Sequence, residues 1–183
     1  PDPAADSVDV FINGDRAYED VEFRNASPLE TVPGAGEIEV AVAAPGADRS
    51  DALLTANVNL PQDTSVIGVI NGLVNTGDFT VDEGLAIHTA GLRTSANMSG
   101  NTDVLIHHGS EDAGVVTIAD TSEGQDLVSG VDYPAFSNYI PLTTQNYTLT
   151  VQKGGDNLAS FDANLSDLNL GGESATVIAS GLF

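Results

Sequence analysis

The chain has no cysteine, so disulfides, thiolate nucleophiles and cysteine-held metal sites are all excluded. Basic residues are scarce: five Lys and Arg stand against 27 Asp and Glu, and Lys153 is the one lysine. The resulting net charge of −22 opposes binding to nucleic acid, whose phosphates require clustered cations. It equally opposes docking on anionic membrane surfaces. Long apolar runs are missing too, and none approaches the roughly 18 residues of a membrane-spanning helix. No basic segment followed by an apolar one opens the chain, so no export signal is read in these residues.

What is present is a folding composition. Of the 183 residues, 41% are hydrophobic, an ordinary share for a chain that packs a core. The acidic excess repels itself at low salt. In molar salt the Debye length shrinks to about 3 Å and the repulsion is largely silenced. Scarce lysine and abundant aspartate therefore suit a protein that works in brine. Four sequons, Asn25-Ala-Ser27, Asn97-Met-Ser99, Asn146-Tyr-Thr148 and Asn164-Leu-Ser166, make Asn97, Asn146, Asn164 and Asn25 candidates for N-glycosylation. Asn25 is the poorest of them, because Pro28 follows its serine.

Apolar residues alternate with polar ones along much of the chain, and helical spacing is nearly absent. "SVDVFI" runs into Asn13-Gly14, a hairpin dipeptide; "EIEVAV" is bracketed by Pro33-Gly34 and Pro45-Gly46, as turn dipeptides should bracket a strand. The second half repeats the first in order. "GVVTIA" answers "SVDVFI", "GVDYPAFSNYIPL" answers "DVEFRNASPLETV", "NYTLTVQ" answers "EIEVAVA", "SFDANL" answers "TANVNL", and "ATVIASGLF" answers "VIGVINGLV". Conserved order in every block indicates a tandem duplication. The expected fold is all-β: two tandem antiparallel β-sandwich domains, immunoglobulin-like or transthyretin-like, each of about seven short strands. The expected division is 1–76, a connector over 77–101 with room for an extra hairpin, and 102–183. A closed barrel is the structural alternative.

The second copy carries His108-Gly-Ser110-Glu-Asp112 before its "GVVTI" strand. The first has Pro1-Asp2-Pro3, Val8-Asp9-Val10, Asn13-Gly14 and Val32-Pro-Gly-Ala-Gly36; last strands end in Gly72-Leu73 and Gly181-Leu182. This set resembles the bacterial and archaeal family known as domain of unknown function 4397. The resemblance implies secreted or surface-anchored proteins with sandwich domains, often in tandem, with no established activity and with members in salt-loving archaea. It also places His108, Ser110 and Asp112 at a turn. The second copy departs by having Thr117 where the family has Asp.

Chemistry is sparsely represented. His107 and His108 are neighbours on an expected strand and so point to opposite faces; His108 is expected to bond turn backbone. His88 stands alone. No Gly-x-Ser-x-Gly elbow, His-Glu-x-x-His helix or phosphate loop is present, and the chain is not expected to be an enzyme or to need a cofactor. Two acidic loops, one with Asp2, Asp6 and Asp9 and the other with Asp120, Glu123 and Asp126, offer the hard oxygens Ca²⁺ prefers, without EF-hand spacing. Solvated acidic turns are the simpler expectation for both.

One asymmetry bears on function. The first copy begins at the strand equivalent to "GVVTIA" and shows no counterpart of "TDVLIHH". Such a strand buries about three apolar side chains worth roughly 1.5–3 kcal/mol each, a large part of a domain's stability of about 5–15 kcal/mol, and its absence leaves an edge ready to pair. It can be trimmed, disordered, dispensed with, or supplied by a neighbouring molecule. Head-to-tail strand donation propagates into filaments. The expectation is therefore a secreted or cell-surface structural protein, a subunit of a surface filament or surface layer that associates with itself and with surface-layer proteins or glycans. The alternative is a monomeric adhesin or ligand-binding module.

Overall fold

The computed structural model describes residues 7–33, 35–74 and 84–181. It is nearly all β, and the chain separates into two compact units, 1–92 and 93–183. The division falls inside the expected connector: its later part belongs to the second unit, and one strand of it to the first.

The second unit is a sealed two-sheet sandwich. Its strands are β7 (Asn101–Gly109), β8 (Val116–Asp120), β9 (Gln125–Val131), β10 (Ile140–Thr143), β11 (Asn146–Lys153), β12 (Asp156–Asn164) and β13 (Ser174–Ser180). One sheet has the order β12-β11-β8-β9, the other β10-β7-β13. Alternation places Val116, Ile118, Tyr147, Leu149 and Val151 on the inner face of the first sheet and Val104, Ile106 and Leu142 on that of the second, and all are buried in one cluster. β7 is buried along nearly its whole length. It lies between β10, antiparallel, and β13, parallel. A strand covered on both faces and both edges reads as a continuous apolar run, as "VLI" does.

The first unit repeats one of these sheets and not the other. Its strands are β1 (Ser7–Ile12), β2 (Asp15–Glu22), β3 (Gly36–Ala43), β4 (Leu54–Leu60), β5 (Ser65–Asn71) and β6 (Ala86–Leu92). The order β2-β1-β3-β4 matches β9-β8-β11-β12 strand for strand. Even the irregularities recur: register shifts interrupt β1–β2 at Val10 and β8–β9 at Ile118. Six strands lie among the described residues, against seven in the second unit. No described strand takes the place of β7. The segment 30–33, the repeat of β10, is irregular, and β5, the repeat of β13, pairs antiparallel with β6. The part of the connector with room for an extra hairpin that includes the apolar "FTV" (79–81) lies outside the described residues.

Candidate functional site

Duplication allows each inward residue of the first unit to be compared with its own repeat. Val8, Val10, Ile12, Ile38, Val40 and Val42 alternate onto one face of β1 and β3, which are paired Val10 to Val42 and Ile12 to Val40. Val10 and Val42 are buried. Val8, Ile12, Ile38 and Val40 are only half-buried, as are Val58 and Leu60 on β4. On the repeat of β3 the contrast is plain: Leu149, the counterpart of Val40, is 1% exposed and Tyr147, the counterpart of Ile38, 5%, while on β12 Ala163, the counterpart of Val58, is half-buried like it. The buried cluster of the first unit (Phe11, Ala41 and Ala43, with Ala47 and Ala52 against it) is on the opposite face of the sheet, under the 44–52 loop.

β5 has also exchanged faces. In β13, Val177 packs on the core and Ile178 is exposed. The matching pair in β5 is Gly68, exposed, and Val69, buried. Along 24–33 nearly every residue is exposed, Leu29 at 69%, and this loop is tied back by Tyr18 Oη donating to Pro28 O at 2.9 Å. Among the described residues the first unit thus presents an apolar sheet face that is only half-buried, and its second sheet is the two-stranded ribbon β5–β6. Sequence alternation reads Val40 and Leu149 alike; only the facing sheet separates them.

Asp9, read from the sequence as part of a solvated acidic turn that could offer oxygens to Ca²⁺, is buried and serves as a structural anchor. Its carboxylate is 1% exposed. It accepts from the N–H of Asp20 at 2.9 Å and of Gly46 at 2.9 Å, and it pairs with the Arg16 guanidinium. Arg16 also donates to Ala47 O and lies over the Phe11 ring. Asp20 has φ of 52°, a left-handed conformation costly for a residue with a Cβ, and the bond to Asp9 holds it there. In the second unit Thr117 replaces the aspartate, and Gly130, with φ of 71°, occupies the repeat of Asp20. Glycine adopts that conformation without a steric penalty.

The Asp20 N–H, followed by the Gly46 N–H and Arg16, holds the Asp9 carboxyl below its ordinary value of 3.8, against the opposing effect of burial. A lowered folded value means the stabilisation is complete above about pH 4 and is lost as pH falls through that lower value. Asp9→Ala strands two backbone donors and a guanidinium. At about 1–3 kcal/mol per unmet buried group, it is expected to destabilise the first unit by about 3 kcal/mol at neutral pH. Calorimetry at pH 7 and pH 3 checks this: the gap between wild type and variant should narrow in acid. Amide exchange should accelerate at Asp20 and Gly46.

Among the turn residues, His108 Nε2 lies 2.7 Å from Gly114 O, and its Nδ1 is 3.4 Å from the Ser110 N–H. Ser110 Oγ donates to Gly181 O at 2.7 Å. These bonds tie the β7–β8 turn to the end of β13, and Asp112 sits in the 3-10 turn Glu111–Ala113 between them. His107, on the other side of β7, packs on Phe136 with ring centroids 4.3 Å apart. Both histidines are buried, and Phe136 is half-buried. His88 lies on β6 opposite Val69.

The second acidic loop does not converge. Asp120 is buried and accepts from the Ser122 N–H and hydroxyl, while Asp126 is exposed on β9 opposite Ala119. Asp2 and Asp6 lie outside the described residues. Among the described residues no group of three or more His, Asp or Glu is placed to hold a metal ion, and no helix is long and apolar enough to cross a membrane. Asn25, Asn97, Asn146 and Asn164 are all exposed. No family model, curated protein or solved structure matches the chain.

Proposed function

We propose that this chain is a structural subunit of an extracellular assembly, in which the half-open face of the first unit receives a strand from a neighbouring copy. The observation that carries the reading is the contrast between the two repeats. The face that is sealed at Leu149 in one is half-open at Val40 in the other, and the strand that seals it is the one without a described counterpart. The second unit supplies the template for the donor. It is an extended segment running parallel to β5, with apolar side chains spaced like Val104 and Ile106.

Burying two or three such side chains contributes roughly 1.5–3 kcal/mol each. Paired backbone groups at the open edge add to this. Copies carrying −22 each repel one another in dilute buffer, so assembly belongs to high salt, where screening is short-ranged. That condition agrees with the brine-adapted composition. The sequons and the family resemblance support a location outside the cell.

Negative-stain electron microscopy of the native protein tests the reading, in molar salt and after dialysis to low salt. Filaments with an axial repeat of one subunit are expected in the first condition and their dissociation in the second. Dispersed single molecules in both would overturn it and leave a monomeric surface adhesin or ligand-binding module.

A further inference from the structure

The four sequons are scattered along the sequence, but the fold gathers three of them at one end of the second unit. Asn146 opens β11 and Asn164 closes β12, and the two are directly opposed in the ladder. Opposed residues project from the same face of a sheet with Cβ atoms about 4.5–5.5 Å apart. Their neighbours Tyr147 and Ala163 turn to the core, so both asparagines face outward.

The sequons are also interlocked. Ser166, the hydroxyl residue of the Asn164 sequon, donates from its N–H at 3.2 Å and its Oγ at 2.8 Å to Asn146 Oδ1. The oxygen of the Asn146 carboxamide is thereby pinned, and Nδ2, the atom that carries a glycan, is its other end. Asn97 is held likewise: Arg93 Nη1 donates to its Oδ1 at 3.1 Å, and its own N–H donates to buried Asp103 at 3.2 Å.

Backbone bonds bring the Asn97 loop to the same end. Thr144 N–H donates to Gly100 O at 3.1 Å, two residues before Asn146, and Gly172 N–H donates to Asn101 O at 2.8 Å, closing the turn that follows Asn164. The opposite end, built from the β7–β8 turn, Lys153–Gly155 and Gly181, carries no sequon.

We propose that this end of the second unit is a glycan cap with two occupied positions: Asn97, and a second shared between Asn146 and Asn164, of which only one is modified in a given molecule. The modifying reaction transfers an oligosaccharide from a polyprenyl phosphate or pyrophosphate carrier. The asparagine Nδ2 forms a bond to the anomeric carbon, the bond from that carbon to the carrier phosphate breaks, Nδ2 gives up one proton, and the polyprenyl phosphate or pyrophosphate leaves. Exclusivity follows from space, because two first sugars on side chains about 5 Å apart at their Cβ atoms require the same volume. The cap also covers Met98 and Leu168, which are 62% and 66% exposed at this end. The inference does not depend on strand donation.

The test is intact-mass and glycopeptide spectrometry of the full chain carrying Asn25→Gln, secreted from a host whose oligosaccharyltransferase accepts Asn-x-Ser/Thr. Two glycans per molecule are expected, with Asn97 near full occupancy and Asn146 and Asn164 sharing one. Asn146→Gln should raise occupancy at Asn164 about twofold, and Asn164→Gln should do the same at Asn146. Three glycans per molecule would overturn exclusivity. Fewer than two, with a co-expressed control glycoprotein fully modified, would overturn the cap.

Discussion

Leu149→Asp is expected to unfold the second unit outright, while its repeat, Val40→Asp, leaves the first unit folded and abolishes self-assembly. A charge forced into the sealed cluster around Leu149 has no partner and no water, a cost of more than about 4 kcal/mol. At Val40 the side chain is half-buried, so a carboxylate there keeps part of its hydration and costs the isolated chain about 1–2 kcal/mol. It would, however, sit beneath an incoming strand and be buried by it. Circular dichroism melts in molar salt, combined with sedimentation, separate the two effects. If Val40→Asp unfolds its unit as completely as Leu149→Asp, the face is closed in the free molecule. If it leaves filaments intact, the face is not where copies meet.

A peptide of residues 101–109, "NTDVLIHHG", is expected to bind the intact protein at the first unit and to stop filament growth. This is the segment that seals the second unit, and the two copies share the sheet it packs on. A ligand of the folded state at a hundred times its Kd stabilises by about 2.7 kcal/mol. For a unit of this size that raises the melting temperature on the order of 10 °C. The control peptide has aspartate at the positions of Val104 and Ile106, and should do neither. To bind, the peptide must take an edge that β6 does not hold or displace β6 from β5. An unchanged melt with the first peptide at saturating concentration would show that the slot is closed to a strand of this kind.

The strands themselves were legible because each alternates. "SVDVFI", "EIEVAV" and "NYTLTVQ" alternate, and β1, β3 and β11 form there; the burial of their other face, at Asp9, Phe11, Ala41, Ala43 and Thr150, was not legible in that alternation. The repeat was legible because order survives where identity does not. β6 was less so. "AIHTAGL" lies in a stretch rich in Gly and Thr, and its apolar residues do not mark a core face; its place is fixed by pairing with β5, which no local pattern encodes. The role of Asp9 was hidden for a similar reason. Its three donors come from positions 16, 20 and 46, on β2 and in the loop after β3, and no local pattern links them. The segment 93–100 reads as linker, yet the Arg93 guanidinium lies 3.9 Å from the centroid of the Tyr139 ring and pairs with buried Asp103.

The parallel pairing of β7 with β13 has a mechanical consequence. These are the first and last strands of the second unit, so tension applied along the chain pulls them in opposite directions along their common axis. The evenly spaced bonds of a parallel ladder, running from Ser174–Asp103 to Ser180–Gly109, are then loaded in shear and must fail together. An antiparallel hairpin pulled from its open end, by contrast, unzips one pair at a time. The second unit is therefore wired as a clamp against longitudinal force, and the bond from Ser110 Oγ to Gly181 O helps to lock its far end.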